Sequence, residues 1–133
     1  MEAEELKRRT QAFGLQVVRL VESLPRSPSA DVVGRQLLRS ATSVGANYRA
    51  ACRARSAADF ISKIAVVEEE ADESMYWLGL LREAKFVDGI VLKNLLEEAD
   101  ALTAIFTASG KTAKRNSSQA IRNRQSEIRH VPL

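Results

Sequence analysis

Four arginines stand in one short stretch of this chain, Arg35, Arg39, Arg49 and Arg53, with no lysine among them. A guanidinium offers a planar fork of N–H donors that matches the oxygens of a phosphate or a carboxylate. At about 100° per residue, Arg39 lies about 40° to one side of Arg35, Arg49 about 40° to the other, and Arg53 back in line. On a helix the four form a stripe about 27 Å long at 1.5 Å per residue. Three readings compete for it. Nucleic-acid phosphate is one. The acids Glu68, Glu69, Glu70, Asp72 and Glu73, met within a subunit or across an oligomer contact, are another, and a merely solvated face is the third.

The passage QLLRSATSVGANYRAACRARS, residues 36–56, supplies the helix. Leu37, Ala41, Val44, Tyr48, Ala51 and Cys52 fall between about 160° and 260° from Arg35, on the side away from the stripe. The passage is therefore a helix with a core face and not a glycine loop around a phosphate. Gly34 and Gly45 lie on or beside the core side, where another helix can approach closely. Ser40 and Ser43 read as close-packing residues, and Asn47 as a satisfied amide at the core margin.

Other chemistry is sought without result. The one histidine, His130, sits near the C-terminus, so a Ser-His or Cys-His dyad within the body is excluded. There is no Glu-x-x-His pair for a di-iron bundle, no phosphate loop and no dinucleotide fingerprint. Glu69/Glu73 and Glu97/Asp100 have helical spacing but read as solvated or ion-paired acids. The single cysteine, Cys52, forbids an intrachain disulfide and reads as packing rather than nucleophile. The expectation is a chain that is not an enzyme and carries no cofactor or metal.

Four elements must position the arginines. Leu6, Phe13, Val17, Leu20 and Leu24 share one face of a segment from about residue 4 to 24, which Pro25 and Pro28 end. Ser29 is read as the N-cap of a second segment running to about Arg55. A third begins after Ser56, where Ser56-Ala57-Ala58-Asp59 resembles a capping box, and buries Phe60, Ile64, Val67, Ala71, Met75, Leu78 and Leu81. The fourth follows Asp88, with Leu92, Leu95, Leu96, Ala99, Leu102 and Phe106 on one side and Gly110 as its stop. These periodicities predict an all-α, antiparallel up-down-up-down four-helix bundle over residues 1–110. Residues 111–133 form a basic tail with little apolar content, for which disorder or induced order is expected.

Charge divides at the same boundary. Residues 1–110 carry 14 Lys/Arg against 16 Asp/Glu, a net −2; residues 111–133 carry six basic residues against Glu127 alone, a net +5. Lys111, Lys114, Arg115, Arg122, Arg124 and Arg129 thus give the chain its basic balance. A basic tail on a near-neutral body suits nucleic acid or another acidic partner. The lone cysteine, the absence of an apolar leader and the lack of about 18 consecutive apolar residues predict a cytoplasmic protein with no membrane segment. Trp77 lies about 100° from the main apolar face of its segment. With Val66 it is assigned to an oligomer interface, and stacking of Tyr76 and Trp77 on bases is the competing reading.

RQLLRSATSVGANYRAACRARSAADFISKIAVVEEEADESMYWLGLL, residues 35–81, together with LTAIFTASGKTAKRN further on, resembles the four helix bundle proteins of ribosomal RNA intervening sequences. The same superfamily includes the accessory variability protein of diversity-generating retroelements. The resemblance covers roughly residues 6–116. It implies an antiparallel four-helix bundle that assembles into a ring-shaped homopentamer. For the retroelement relative it also implies a basic surface that engages nucleic acid and a reverse transcriptase. Two functions follow as expectations. One is a non-enzymatic, oligomeric accessory protein that binds RNA or DNA through Arg35, Arg39, Arg49, Arg53, Lys111, Lys114, Arg115, Arg122 and Arg124, assisting a reverse transcriptase or another RNA-handling enzyme. The other is a pentameric protein-interaction scaffold without nucleic-acid binding.

Overall fold

Proline punctuation and serine caps divide the chain into four helices. A computed structural model describes residues 1–129, with α1 at Ala3–Glu22, α2 at Pro28–Cys52, α3 at Ala57–Glu83 and α4 at Gly89–Arg129. His130 lies outside the described residues. Short turns make successive helices antiparallel. α2 packs between α1 and α3, α3 between α2 and α4, and the bundle closes through a slighter contact of α4 with α1. This is the up-down arrangement that the apolar periodicities predict.

The caps refine the boundaries. Ser27, not Ser29, caps α2: its side chain accepts from the Ala30 N–H at 3.1 Å, and Pro28 takes the first helical position. That position needs no amide donor and suits a φ already fixed by the ring. Ser56 caps α3 by accepting from the Asp59 N–H at 3.1 Å. α3 ends at Ala84, beyond which Lys85 takes a left-handed φ of 59°. The Lys85 and Phe86 amides donate back to the Arg82 and Leu81 carbonyls, a hydrogen-bonded helix end usually built on glycine.

The core follows the four predicted faces. Leu6, Phe13, Val17 and Leu20 of α1 meet Leu37, Ala41, Val44, Tyr48 and Ala51 of α2. Ile64, Val67, Ala71, Leu78 and Leu81 of α3 face Leu92, Leu95, Ala99, Leu102 and Phe106 of α4. Cys52 departs from expectation: it is exposed, at the last residue of α2. α1 and α2 approach closely at glycine. A Cβ on Gly45 would stand 3.4 Å from Thr10 Oγ1, and one on Gly34 would stand 3.1 Å from Leu24. Buried hydroxyls are satisfied locally or across the interface, as where Ser74 donates to Ser40 at 3.0 Å.

Gly110 does not stop α4. The helix continues for nineteen further residues to Arg129, in place of the stop expected at Gly110. A helical glycine costs only about 1 kcal/mol relative to alanine, and neither another glycine nor a proline interrupts the chain before Pro132. Packing helps as well. Gly110 sits close beside Ile64 of α3, and Ala113 and Ser117 beyond it remain half-buried. From Ser118 through Ile128 every residue is exposed.

Candidate nucleic-acid interface

The arginine stripe lies on the exposed side of α2, as its angles require, but its members meet different surroundings. α2 and α3 form an antiparallel pair about the turn at 53–56, so each step back along α2 moves a step forward along α3. That register sets Arg39 against Glu70 and Glu73. Its guanidinium donates to the Glu70 carboxylate at 3.1 Å and also to Glu73. These bonds, Glu73 first and Glu70 second, hold the guanidinium pKa above its ordinary value. Arg39 is committed to carboxylates.

Arg35, Arg49 and Arg53 are exposed and form no ion pair among the described residues. The acids of α3 cluster at 68–73, and only the middle of α2 comes opposite them. Arg35 lies beyond that cluster toward the α1–α2 turn, and Arg49 and Arg53 lie beyond it toward the α2–α3 turn. The charge-pairing reading of the stripe therefore holds for one arginine, and the phosphate reading remains open to the other three.

Arg49 and Arg53 converge with a residue that sequence reasoning missed. A groove of about 590 Å³ at the α2–α3 turn is lined by Ala46, Arg49, Ala50, Arg53, Arg55, Asp59 and Lys63. Lys63 pairs with Asp59, and its hydrogen bond keeps that carboxyl below the usual range. The groove's one acid is thus neutralised by its one lysine. Three guanidiniums remain without a carboxylate, beside the positive N-terminal end of α3. Arg55 falls in the turn and off the helical stripe, so angular spacing along α2 does not reveal it. Its position directly before the Ser56 cap is the signal that could have. Arg49 also borders the cleft between α1 and α2, alongside Lys7 and Arg8.

The α4 extension leaves from this same end. Gly110 is level with Ile64. Running antiparallel to α3, the next seven residues of α4 bring Ser117 level with Ala57, the first residue of α3. Lys111, Lys114 and Arg115 therefore flank the α3 N-terminus, and Arg122 and Arg124 project beyond it. Taking Ile121 as zero, Lys111, Arg115 and Arg122 lie near 80°, 120° and 100°, a single basic edge about 16 Å long. Of the nine residues assigned to nucleic acid, Arg49, Arg53, Lys111, Lys114 and Arg115 lie at the same end of the bundle. Arg122 and Arg124 continue outward from it, Arg39 is diverted, and Arg35 stands apart.

Trp77 is half-buried and packs against the core of its own subunit, with Tyr76 edge-on at 4.9 Å between ring centroids. Its buried Nε1 has no acceptor among the described residues. Val66 is 38% exposed and Tyr76 62%. Among the described residues there is no group of three or more His, Cys, Asp or Glu placed to hold a metal ion, and no helix is long and apolar enough to cross a membrane.

Residues 3–108 match the model of the 23S rRNA-intervening sequence protein family. The α4 extension lies beyond the matched region. Among solved structures, the chain is similar to a protein of unknown function from the S23 ribosomal protein family of Bacteroides thetaiotaomicron VPI-5482. That likeness has 31% identity and a TM-score of 0.76, and covers 84% of this chain and 99% of that one. No curated protein matches.

Proposed function

We propose that this chain, which belongs to the 23S rRNA-intervening sequence protein family, is a non-enzymatic accessory protein that holds nucleic acid by its phosphates. One observation carries the reading: the unpaired Arg49, Arg53 and Arg55 share an end of the bundle with the basic α4 extension. Guanidiniums without carboxylate partners keep their donors for phosphate oxygens, and backbone contacts of this kind need no base-reading pocket. RNA and DNA are both candidate ligands, and an RNA-handling enzyme such as a reverse transcriptase is a candidate partner to be met on the same strand.

The test is the salt dependence of binding to single-stranded RNA and duplex DNA. Each neutralised phosphate adds about −0.7 to the slope of log affinity against log salt on single strands and about −0.9 on duplex. If all six basic residues of the tail engage, ending the chain after Gly110 flattens the slope by roughly four to five units. An unchanged slope removes the extension from the mechanism.

A second reading, a ring-forming homopentameric scaffold without nucleic-acid binding, is favoured by the apolar residues that α3 leaves exposed, Val66, Tyr76 and Leu80. Light scattering that returns the mass of a single chain at micromolar concentration would end it.

A further inference from the structure

The outer face of α3 and the α4 extension each carry a seam that nothing within the subunit covers. On α3 it runs Val66, Glu69, Glu73, Tyr76 and Leu80, spaced by threes and fours, so the five residues lie within about 80° of one another. Val66, Tyr76 and Leu80 are 38%, 62% and 36% exposed, with two glutamates between the apolar ends. On the extension the seam runs Lys114, Ser117, Ile121, Arg124 and Ile128, again by threes and fours. Ile121 and Ile128 are 51% and 72% exposed, and an arginine lies between them.

We infer that the α4 extension of one copy docks along the outer face of α3 of a second copy, setting Arg124 against Glu69. The two patterns complement each other in sign, and they share one apolar step: Ile121 stands three residues before Arg124 as Val66 stands three before Glu69, so the pair of charges and the pair of apolar side chains meet together in a parallel alignment. Glu73 already receives Arg39, whereas Glu69 is exposed and forms no ion pair among the described residues. The contact must be made in trans. The extension continues α4 as one helix past the α3 N-terminus, and it cannot turn back toward residues 66–80 of its own α3 without breaking. Pairing two extensions would bring like charges together, because each carries Lys111, Lys114, Arg115, Arg122 and Arg124 against Glu127. The phosphate-binding edge, Lys111, Arg115 and Arg122, lies about 100° around the helix from the isoleucines. Docking through Ile121, Arg124 and Ile128 therefore leaves that edge outward for phosphate and withdraws Arg124 from the phosphate-binding set.

The test uses the full chain without nucleic acid at low salt. A fluorophore is placed on Asn123→Cys, on the far side of the extension, in a Cys52→Ser background. Its anisotropy is followed as unlabelled chain is added. The expected result is a saturable rise whose midpoint moves to roughly tenfold higher concentration with Glu69→Arg in the unlabelled chain, or with Arg124→Glu in the labelled one. Combining the two reversals should restore most of the loss. All the substituted sites are exposed, and circular dichroism verifies that each variant folds. A flat titration overturns the inference. So does a midpoint that moves with only one reversal, or a double reversal that restores nothing.

Discussion

The middle of the arginine stripe and its C-terminal end are built from the same residue on the same helix face, yet they do different things. Arg39 is held by Glu70 and Glu73 and ties α2 to α3. Ten residues on, Arg49 lies in a groove with Arg53 and Arg55, where the one acid, Asp59, is already taken by Lys63. The difference comes from register. In an antiparallel helix pair, distance from the turn decides which residues face, and after Asp59, which Lys63 holds, the next acids of α3 come about three turns from its start. An arginine near the turn finds no free acid opposite it, and one in the middle finds two. A charge stripe on a helix is thus not one site, because its partners change along its length.

Among substitutions within the bundle, removing the open end's charge should have the largest effect. Arg49→Ala, Arg53→Ala and Arg55→Ala together should flatten the salt slope of RNA binding by roughly two units on single strands and leave the melting midpoint near that of the parent chain. A fall in midpoint without loss of binding would make the open end structural, and the contrast would fail. Next in size, Glu70→Gln with Glu73→Gln should release Arg39 and steepen the slope by up to about 0.7 on single strands. A slope that does not change would show that a free guanidinium at that position meets no phosphate.

Arg39→Ala sharpens the comparison from the other side. The pair is partly solvated, so its stabilisation is modest. The midpoint of thermal unfolding should fall detectably while the salt slope stays that of the parent. The smallest effect belongs to the end of the bundle that carries no basic cluster. Lys85→Gly relieves a left-handed backbone at the end of α3 and should raise stability by roughly 0.5–1 kcal/mol, measured by urea denaturation, with binding unchanged. A loss of stability there would mean that Lys85 makes contacts worth more than the strain.

Much of the fold was legible because amphipathic helices announce themselves by spacing. The faces through Phe13, Leu37, Ile64 and Leu102 are buried as the three-and-four pattern requires. Boundaries were less legible, since several residues can act as caps: Ser29 was the expected N-cap of α2, and Ser27 is the one that accepts the amide. Gly110 misled for a related reason. Glycine permits a helix end without compelling one, and α4 runs on through residues that stay half-buried as far as Ser117.

By itself, then, the sequence determined which residues could be buried, where charge accumulates, and that the stripe on α2 points away from the core. Those properties depend on the chain's own period and composition. Only the tertiary structure decided that Arg39 is paired while Arg49 and Arg53 are not, that Arg55 joins them, and that the basic extension leaves from their end of the bundle. Each of these depends on the register between helices far apart in the chain. That register is set by how side chains of four helices interlock, a property no single segment carries.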